Sequence, residues 1–173
     1  MAIAVISTIG HDRPGLVHDI TTLAESQGIN IEDSRMTVLG GEFAVLMSLT
    51  GEIEQLRAFD QAMQALTGEE MAYIYRETDT QDRDPVTRPY RATVTAIDHP
   101  GIVAAIAGFF SARGINLQDV DTETSRAPHT GTPMFTVHLT AWIPAEVKVQ
   151  DLKSEFEEFC ADQDLDGELE ASR

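Results

Sequence analysis

Several kinds of residue are scarce in this 173-residue chain, and each scarcity excludes a class of protein. The chain has one cysteine, Cys160, so it has no internal disulfide framework and no paired-cysteine metal motif. Lys and Arg number 12 against 29 Asp and Glu, which gives a net charge of −17. Because nucleic-acid phosphates attract basic side chains, this balance argues against direct contact with DNA or RNA.

Long hydrophobic runs are also missing. No apolar stretch approaches the roughly 20 residues that a membrane-spanning helix needs. The opening segment, Met1–Ile6, is too short and too uncharged to be a secretory signal peptide. A single cysteine suits a reducing compartment, so we expect a cytoplasmic protein. At 42% hydrophobic and 24% charged residues, the composition is that of a globular protein.

Catalytic and cofactor motifs are absent from the sequence as well. The histidines fall into no repeated constellation with Cys or Glu, and no serine stands in a nucleophile elbow. The lysine and the spacing of a phosphate-binding loop are missing. We therefore predict a chain that is not an enzyme and that uses neither a metal nor a cofactor. The histidines are His11, His18, His99, His129 and His138.

What the chain does contain is one segment repeated 86 residues later. The first copy reads DRPGLV at residues 12–17 with GINI at 28–31, and the second reads DHPGIV at 98–103 with GINL at 114–117. A repeat of this length predicts two similar modules. We place the first module at residues 1–78, a polar linker at 79–88 and the second module at 89–173. The identical pairs include Pro14 and Pro100, Gly15 and Gly101, Ile20 and Ile106, Gly28 and Gly114, and Asn30 and Asn116.

The hydrophobic pattern of each module predicts the order β-α-β-β-α-β. Alternating apolar residues indicate strands, and spacings of three and four indicate helices. We expect Pro14 to begin the first helix, Asp12 to favour its N-terminus and Gly28 to end it. Gly40-Gly41 predicts a tight hairpin. The order is that of a ferredoxin-like α+β fold, an antiparallel four-stranded sheet with two helices on one face.

The second module differs from the first mainly at one hairpin. Phe135 aligns with Phe43 at a step of 92 instead of 86, so six residues have been added, and they fall in a polar loop at 125–133. An RNA-binding surface on such a sheet needs several aromatic residues among basic ones. Phe43 and Phe135 stand alone in an acidic chain, so that interpretation fails.

The junction between the first strand and the first helix is the best candidate for a binding site in each module. Unpaired N–H groups at a helix start attract a carboxylate, and Gly15 or Gly101 allows close approach to that backbone. Asn30 and Asn116 open the next strand, which we expect to neighbour the first, and their amides both donate and accept. A small amino acid could lie between these groups. The same residues could also serve folding alone, as helix start and stop signals.

The repeated D-x-P-G…G-I-N motif resembles that of ACT domains, small amino-acid-sensing regulatory modules, over nearly the whole chain. A chain of two such modules is similar to the glycine cleavage system transcriptional repressor group. The resemblance implies ligand binding at module interfaces. Carried over by position, the residues are Asp12, Gly15, Asn30 and Ile31, and Asp98, Gly101, Asn116 and Leu117.

The resemblance further implies a non-enzymatic, homodimeric regulator that senses glycine or a similar amino acid. Such a protein would modulate transcription through a DNA-binding regulator protein rather than by touching DNA. Two alternatives stay open: a ligand-free protein-interaction module, and a regulatory subunit of a metabolic enzyme. Folate-dependent deformylases also begin with a similar ACT module.

Overall fold

The computed structural model describes residues 1–78 and 87–172. Two compact units separate between Gln81 and Asp82. Most of the predicted linker at 79–88 lies outside the described residues, but its last two residues, Thr87 and Arg88, belong to the first strand of the second module. That strand therefore begins two residues before the predicted start of the second module at residue 89.

The two modules have the same order of elements, which confirms the predicted β-α-β-β-α-β fold. The first module comprises β1 Ala2–His11, α1 Leu16–Ser26, β2 Asn30–Leu39, β3 Glu42–Gly51, α2 Ile53–Thr67 and β4 Met71–Thr78. The second comprises β5 Thr87–Ile97, α3 Ile102–Ser111, β6 Asn116–Arg126, β7 Pro133–Pro144, α4 Val149–Asp162 and β8 Asp166–Ala171.

Each sheet is antiparallel, with strand order β2-β3-β1-β4 in the first module and β6-β7-β5-β8 in the second. The expectation that the asparagine strand neighbours the first strand is therefore wrong. β3 lies between β1 and β2, because a strand-helix-strand crossover can skip a position that a later strand fills. The asparagine strands β2 and β6 are sheet edges.

The core of each module lies between its sheet and its helices. In the first module, buried and more exposed residues alternate along β1 and β3. The buried ones pack against Leu16 and Ile20 of α1 and Phe59 of α2. In the second module four aromatic rings meet in the corresponding layer, with centroids 5.0 to 6.2 Å apart. The four are Phe109, Phe110, Phe156 and Phe159. The sheet face opposite the helices, called the open face from here on, carries no element of its own module.

The first helix of each module ends as its sequence predicts. Gly28 has φ 68°, and the N–H of Ile29 donates to the carbonyl of Ala24 at 3.0 Å. Gly114 and Ile115 repeat this arrangement. Such a closure satisfies carbonyls at the helix end and buries the following apolar side chain, here an isoleucine in both copies.

The hairpins between the second and third strands differ as the extra residues require. Gly40 and Gly41 form a two-residue turn with both φ angles positive. In the second module the connection spans residues 127–132, since the outer residues of the predicted loop pair in the sheet, Arg126 with Pro133 and Ser125 with Met134. The insertion therefore lengthens both the strands and the loop.

Candidate functional site

The strand-to-helix junctions have the same backbone in both modules, although not the one predicted. Gly15 and Gly101 are the N-cap residues of α1 and α3, with φ of 90° and 103°. Pro14 therefore precedes the helix and does not begin it, and no side chain caps either helix, Asp12 included. A left-handed glycine turn occupies the place where a capping side chain would stand.

Without a capping side chain, the first turn of each helix keeps free donors. The N–H of Asp19 bonds the carbonyl of Gly15 at 2.8 Å, and the N–H of Ala105 bonds that of Gly101 at 2.9 Å. In each helix, the N–H groups of the two residues that precede this donor have no hydrogen-bond acceptor among the described residues. These groups carry the positive end of the helix dipole, so they can bind an anion.

The glycines have two physical roles at this position. Their positive φ is strained for any residue with a side chain. A Cβ added at either glycine would meet nothing within 4 Å, so the space in front of the helix start is open. The backbone conformation alone requires glycine, and the same glycine leaves room for a ligand.

Side chains around the two junctions are different. Arg13 Nη2 forms a 2.8 Å ion pair with Asp19 Oδ2 in the first module. In the second module His99 replaces the arginine, and its Nδ1 lies 3.1 Å from the carbonyl oxygen of Pro100. Asp12 and Asp98 are exposed and form no side-chain hydrogen bond with the described residues. The first junction thus holds a guanidinium whose charge is matched by a carboxylate, and the second holds neither group of that pair.

Asn30 lies at the other end of the sheet from Gly15. It pairs with Thr50, which pairs with Ile3 near the start of β1, whereas Gly15 follows His11 at the end of β1. The 11 residues of α1 separate the two, a length of about 16 Å. Asn116 and Gly101 are placed in the same way. No single module brings its predicted glycine and asparagine together.

In the first module Asn30 belongs to a hydrogen-bonded group around a carboxylate. Its Nδ2 and the hydroxyl of Thr50 both donate to Glu32 Oε1, each at 2.8 Å. The hydroxyl of Thr50 first, and then the amide of Asn30, hold the pKa of Glu32 below its usual value. The edge of β2 therefore presents the negative charge of Glu32. The side-chain amide of Asn30 already donates a hydrogen bond to that carboxylate.

In the second module the same positions are neutral. Gln118 replaces the carboxylate, and its Oε1 accepts a hydrogen bond from Trp142 Nε1. Asn116 makes no side-chain hydrogen bond with the described residues, so its amide is available. The sequence contained this difference, Glu32 against Gln118, but only the β2–β3 and β6–β7 pairings show that it matters to the asparagine.

A β-bulge lies next to both asparagines, which the sequence pattern did not reveal. The register of β2 against β3 shifts between Ile31 and Asp33, and that of β6 against β7 shifts between Leu117 and Asp119. Ile31 and Leu117 are half-buried against the core, so they help to hold the edge rather than projecting freely. Bulges commonly re-aim side chains at functional edges.

Comparisons with known proteins decide the family. An ACT domain profile matches residues 2–71, and a second ACT domain profile matches residues 90–157, so the two together match well over half of the chain. This chain belongs to the ACT-domain family.

Relatives of this tandem ACT-domain chain extend over its full length. The glycine cleavage system transcriptional repressor of Escherichia coli is 26% identical over 166 residues, covering 95% of this chain and 87% of the repressor. The crystal structure of an unknown protein from Galdieria sulphuraria is 26% identical, covers 99% of both chains and has a TM-score of 0.86. Another structure, provisionally described as a glycine cleavage system transcriptional repressor, has 23% identity, a TM-score of 0.75 and coverage of 99% and 98%. The tandem ACT arrangement is thus shared along the whole chain.

The part of the ACT-domain chain that the structure describes contains neither a membrane-spanning helix nor a metal-binding cluster. No helix there is long and apolar enough to cross a membrane. No group of three or more His, Cys, Asp or Glu side chains there is placed to hold a metal ion.

Proposed function

We propose that this ACT-domain protein is a non-enzymatic regulator that senses a small amino acid such as glycine. The observation that carries the proposal is the duplicated junction, in which an uncapped helix start lies open behind a left-handed glycine. Free N–H groups there can donate hydrogen bonds to the carboxylate of an amino acid.

Because the junction and the asparagine lie at opposite ends of one module, we propose that the junction in one chain is completed by the asparagine edge of a second copy of the chain in a homodimer. The carboxylate would bind the helix start, and the ammonium would bind the edge strand. Glu32 favours the ammonium in one such edge, while Asn116 offers only its amide, so the sites should differ in affinity.

Regulation would pass to another protein instead of directly to DNA. A net charge of −17 opposes binding to phosphate, and the repressor relative is named for transcriptional control. We propose that ligand binding favours one packing of the modules and so changes the surface offered to a DNA-binding regulator protein.

A thermal-shift panel of the twenty amino acids at millimolar concentration tests the proposal. Glycine or a close analogue should raise the melting temperature, because a ligand at 100 times its Kd stabilises the folded state by about 2.7 kcal/mol. Asn30→Ala and Asn116→Ala should each reduce the shift, and Gln61→Ala, on an exposed turn of α2, should not. If no amino acid stabilises the protein, ligand sensing is wrong.

The main alternative is an interaction module without a ligand. The backbone requirement for glycine at both junctions favours it, since folding alone explains Gly15 and Gly101. It predicts that the asparagine variants change neither an amino-acid response nor partner binding. Co-purification with an enzyme subunit would instead support a role as the regulatory subunit of that enzyme.

A further inference from the structure

A polar cleft of about 310 Å³ lies on the open face of the second module, between β5 and the edge strand β8. It is separate from the α3 junction and from Asn116, which lies on the opposite edge strand. Its volume is at the lower end of the range of small-molecule sites, roughly 300 to 1,000 Å³. The lining residues are Arg91, Thr93, Glu168, Glu170, Ala171 and Ser172.

The sheet register arranges the charged groups of this cleft as a grid. Arg91 pairs with Glu170, and Thr93 pairs with Glu168. The hydroxyl of Thr93 lies 3.3 Å from Nδ1 of His138. His138 stands on β7, which borders β5 on the side away from the cleft, and this contact holds the Thr93 side chain in place. One cation, two carboxylates and a hydroxyl therefore face the same space.

The charged side chains of the cleft do not form ion pairs with one another. No ion pair within 4 Å joins Arg91, Glu168 or Glu170 to a described residue, although Arg91 and Glu170 are register partners. The net charge of the cleft is negative, since two carboxylates surround one guanidinium. A ligand that matches this pattern carries one carboxylate and more than one cationic group.

The first module shows that the cleft is not a by-product of the fold. Arg91 and Thr93 correspond to Val5 and Ser7 in the repeat, and the register partners of those two residues on β4 are Arg76 and Ile74. The equivalent surface thus lacks both carboxylates and is partly apolar. The two modules share this backbone arrangement, but only the second has the arginine and the two glutamates at these positions.

We propose that this cleft binds a basic α-amino acid of the lysine or ornithine class. The α-carboxylate pairs with Arg91 in the bidentate manner that a guanidinium favours. The α-ammonium and the side-chain ammonium pair with Glu170 and Glu168, which stand two residues apart on one strand, about 6.7 Å. An extended diamino acid spans a similar distance between its amino groups. Neutral and acidic amino acids satisfy only part of this arrangement.

Titration of the ¹⁵N-labelled full chain with lysine and with ornithine tests the inference. The amide signals of Arg91, Thr93 and Glu168 should shift at millimolar ligand, with glutamate giving no shift there. Arg91→Gln and Glu168→Gln should each weaken binding by about 10-fold or more, the usual size for a hydrogen bond to a charged group. Glu157→Gln, an exposed carboxylate on α4, is the matched control and should bind as the parent does.

The outcomes also distinguish this cleft from the junction site. Shifts confined to Gly101 and its neighbours would overturn the cleft and support the junction. Binding that survives both cleft variants unchanged, or an absence of shifts with either diamino acid, would overturn it as well. Well-dispersed spectra of the variants establish that they fold, so that lost binding is not lost structure.

Discussion

The open faces of the two modules differ in chemistry although the modules share one fold: the first is largely apolar and the second is polar and acidic. In the first module Ile9, Leu46 and Ile74 are exposed at 50%, 48% and 66%. At the positions that correspond to Ile9 and Leu46 in the repeat, the second module has Thr95 and His138. Acidic side chains of β6 and β8 flank these residues. The two copies share the glycines, helix starts and core residues on which the backbone depends. Their open faces, on which the backbone does not depend, differ in chemistry.

The cores of the modules offer the largest test of that comparison. Phe156 is fully buried and touches three other rings, whereas Phe59 is fully buried with no ring contact among the described residues. Each change to alanine should cost about 3 to 5 kcal/mol. Phe156→Ala should cost more, by roughly 0.5 to 1.5 kcal/mol for each ring pair.

Urea unfolding separates these two effects. Trp142, the only tryptophan of the chain, lies in the second module, so its fluorescence reports that module while circular dichroism reports both. Phe156→Ala should shift the fluorescence transition, and Phe59→Ala should shift chiefly the dichroism. Equal shifts in both signals for both variants would show that the modules unfold as one unit.

The junction glycines provide a medium-sized test. Gly15→Ala and Gly101→Ala should each destabilise their own module by about 1 to 2 kcal/mol, because a side chain is strained at a left-handed φ. Gly108→Ala is the control in the interior of α3, where an added Cβ meets nothing within 4 Å. It should stabilise the second module by up to about 1 kcal/mol. A neutral result at both junctions would contradict the backbone explanation of these glycines.

Alkaline pH should affect the second module through its single cysteine. Burial, with a smaller contribution from Asp166, raises the pKa of the Cys160 thiol to about 11. The folded state therefore holds this proton more tightly than the unfolded state does. The resulting stabilisation is complete below the unfolded pKa of about 8.5 and is lost as the pH rises toward 11.

Cys160→Ala isolates that contribution. The variant should lose some stability at every pH through its smaller side chain, but its Trp142-reported stability should fall less steeply between neutral and alkaline pH. The native thiol should also alkylate far more slowly than the unfolded one, since it is buried and protonated. Parallel pH profiles for parent and variant would refute the assignment.

The smallest expected effect concerns the asparagine edges. Thr50→Val removes the hydrogen bond that contributes most to the low pKa of Glu32, so that pKa should rise toward its ordinary value. Carbon-detected NMR titration of the glutamate carboxyl measures it. Asn30→Ala should raise the same pKa by less, because the amide is the weaker contributor. The reverse ranking would contradict the hydrogen-bond arrangement.

Local features of the fold were predictable from short stretches of sequence. Gly28 and Gly40-Gly41 ended a helix and made a hairpin where their φ preferences allow. No glycine marks the end of α4, because Asp164 takes the left-handed position that glycine holds after α1 and α3. Asparagine and aspartate tolerate that conformation, but their presence signals it weakly.

The candidate site was only partly predictable. Gly15 and Gly101 lie at the helix starts as expected, yet the asparagines lie far from them, since strand order is a long-range property that periodicity does not contain. The hydrogen bonds from Thr50 to Glu32 and from Trp142 to Gln118 join residues that are distant in sequence. Such pairs appear only once the register is known.

By itself the sequence determined the duplication, the element order and the helix ends, because these depend on local backbone preference and on the spacing of apolar residues. Tertiary structure alone decided which strands are edges, which end of the sheet each predicted residue occupies, and which charges share a cleft. These follow from pairing between distant segments, where one strand inserted between two others separates residues that the sequence places in one motif.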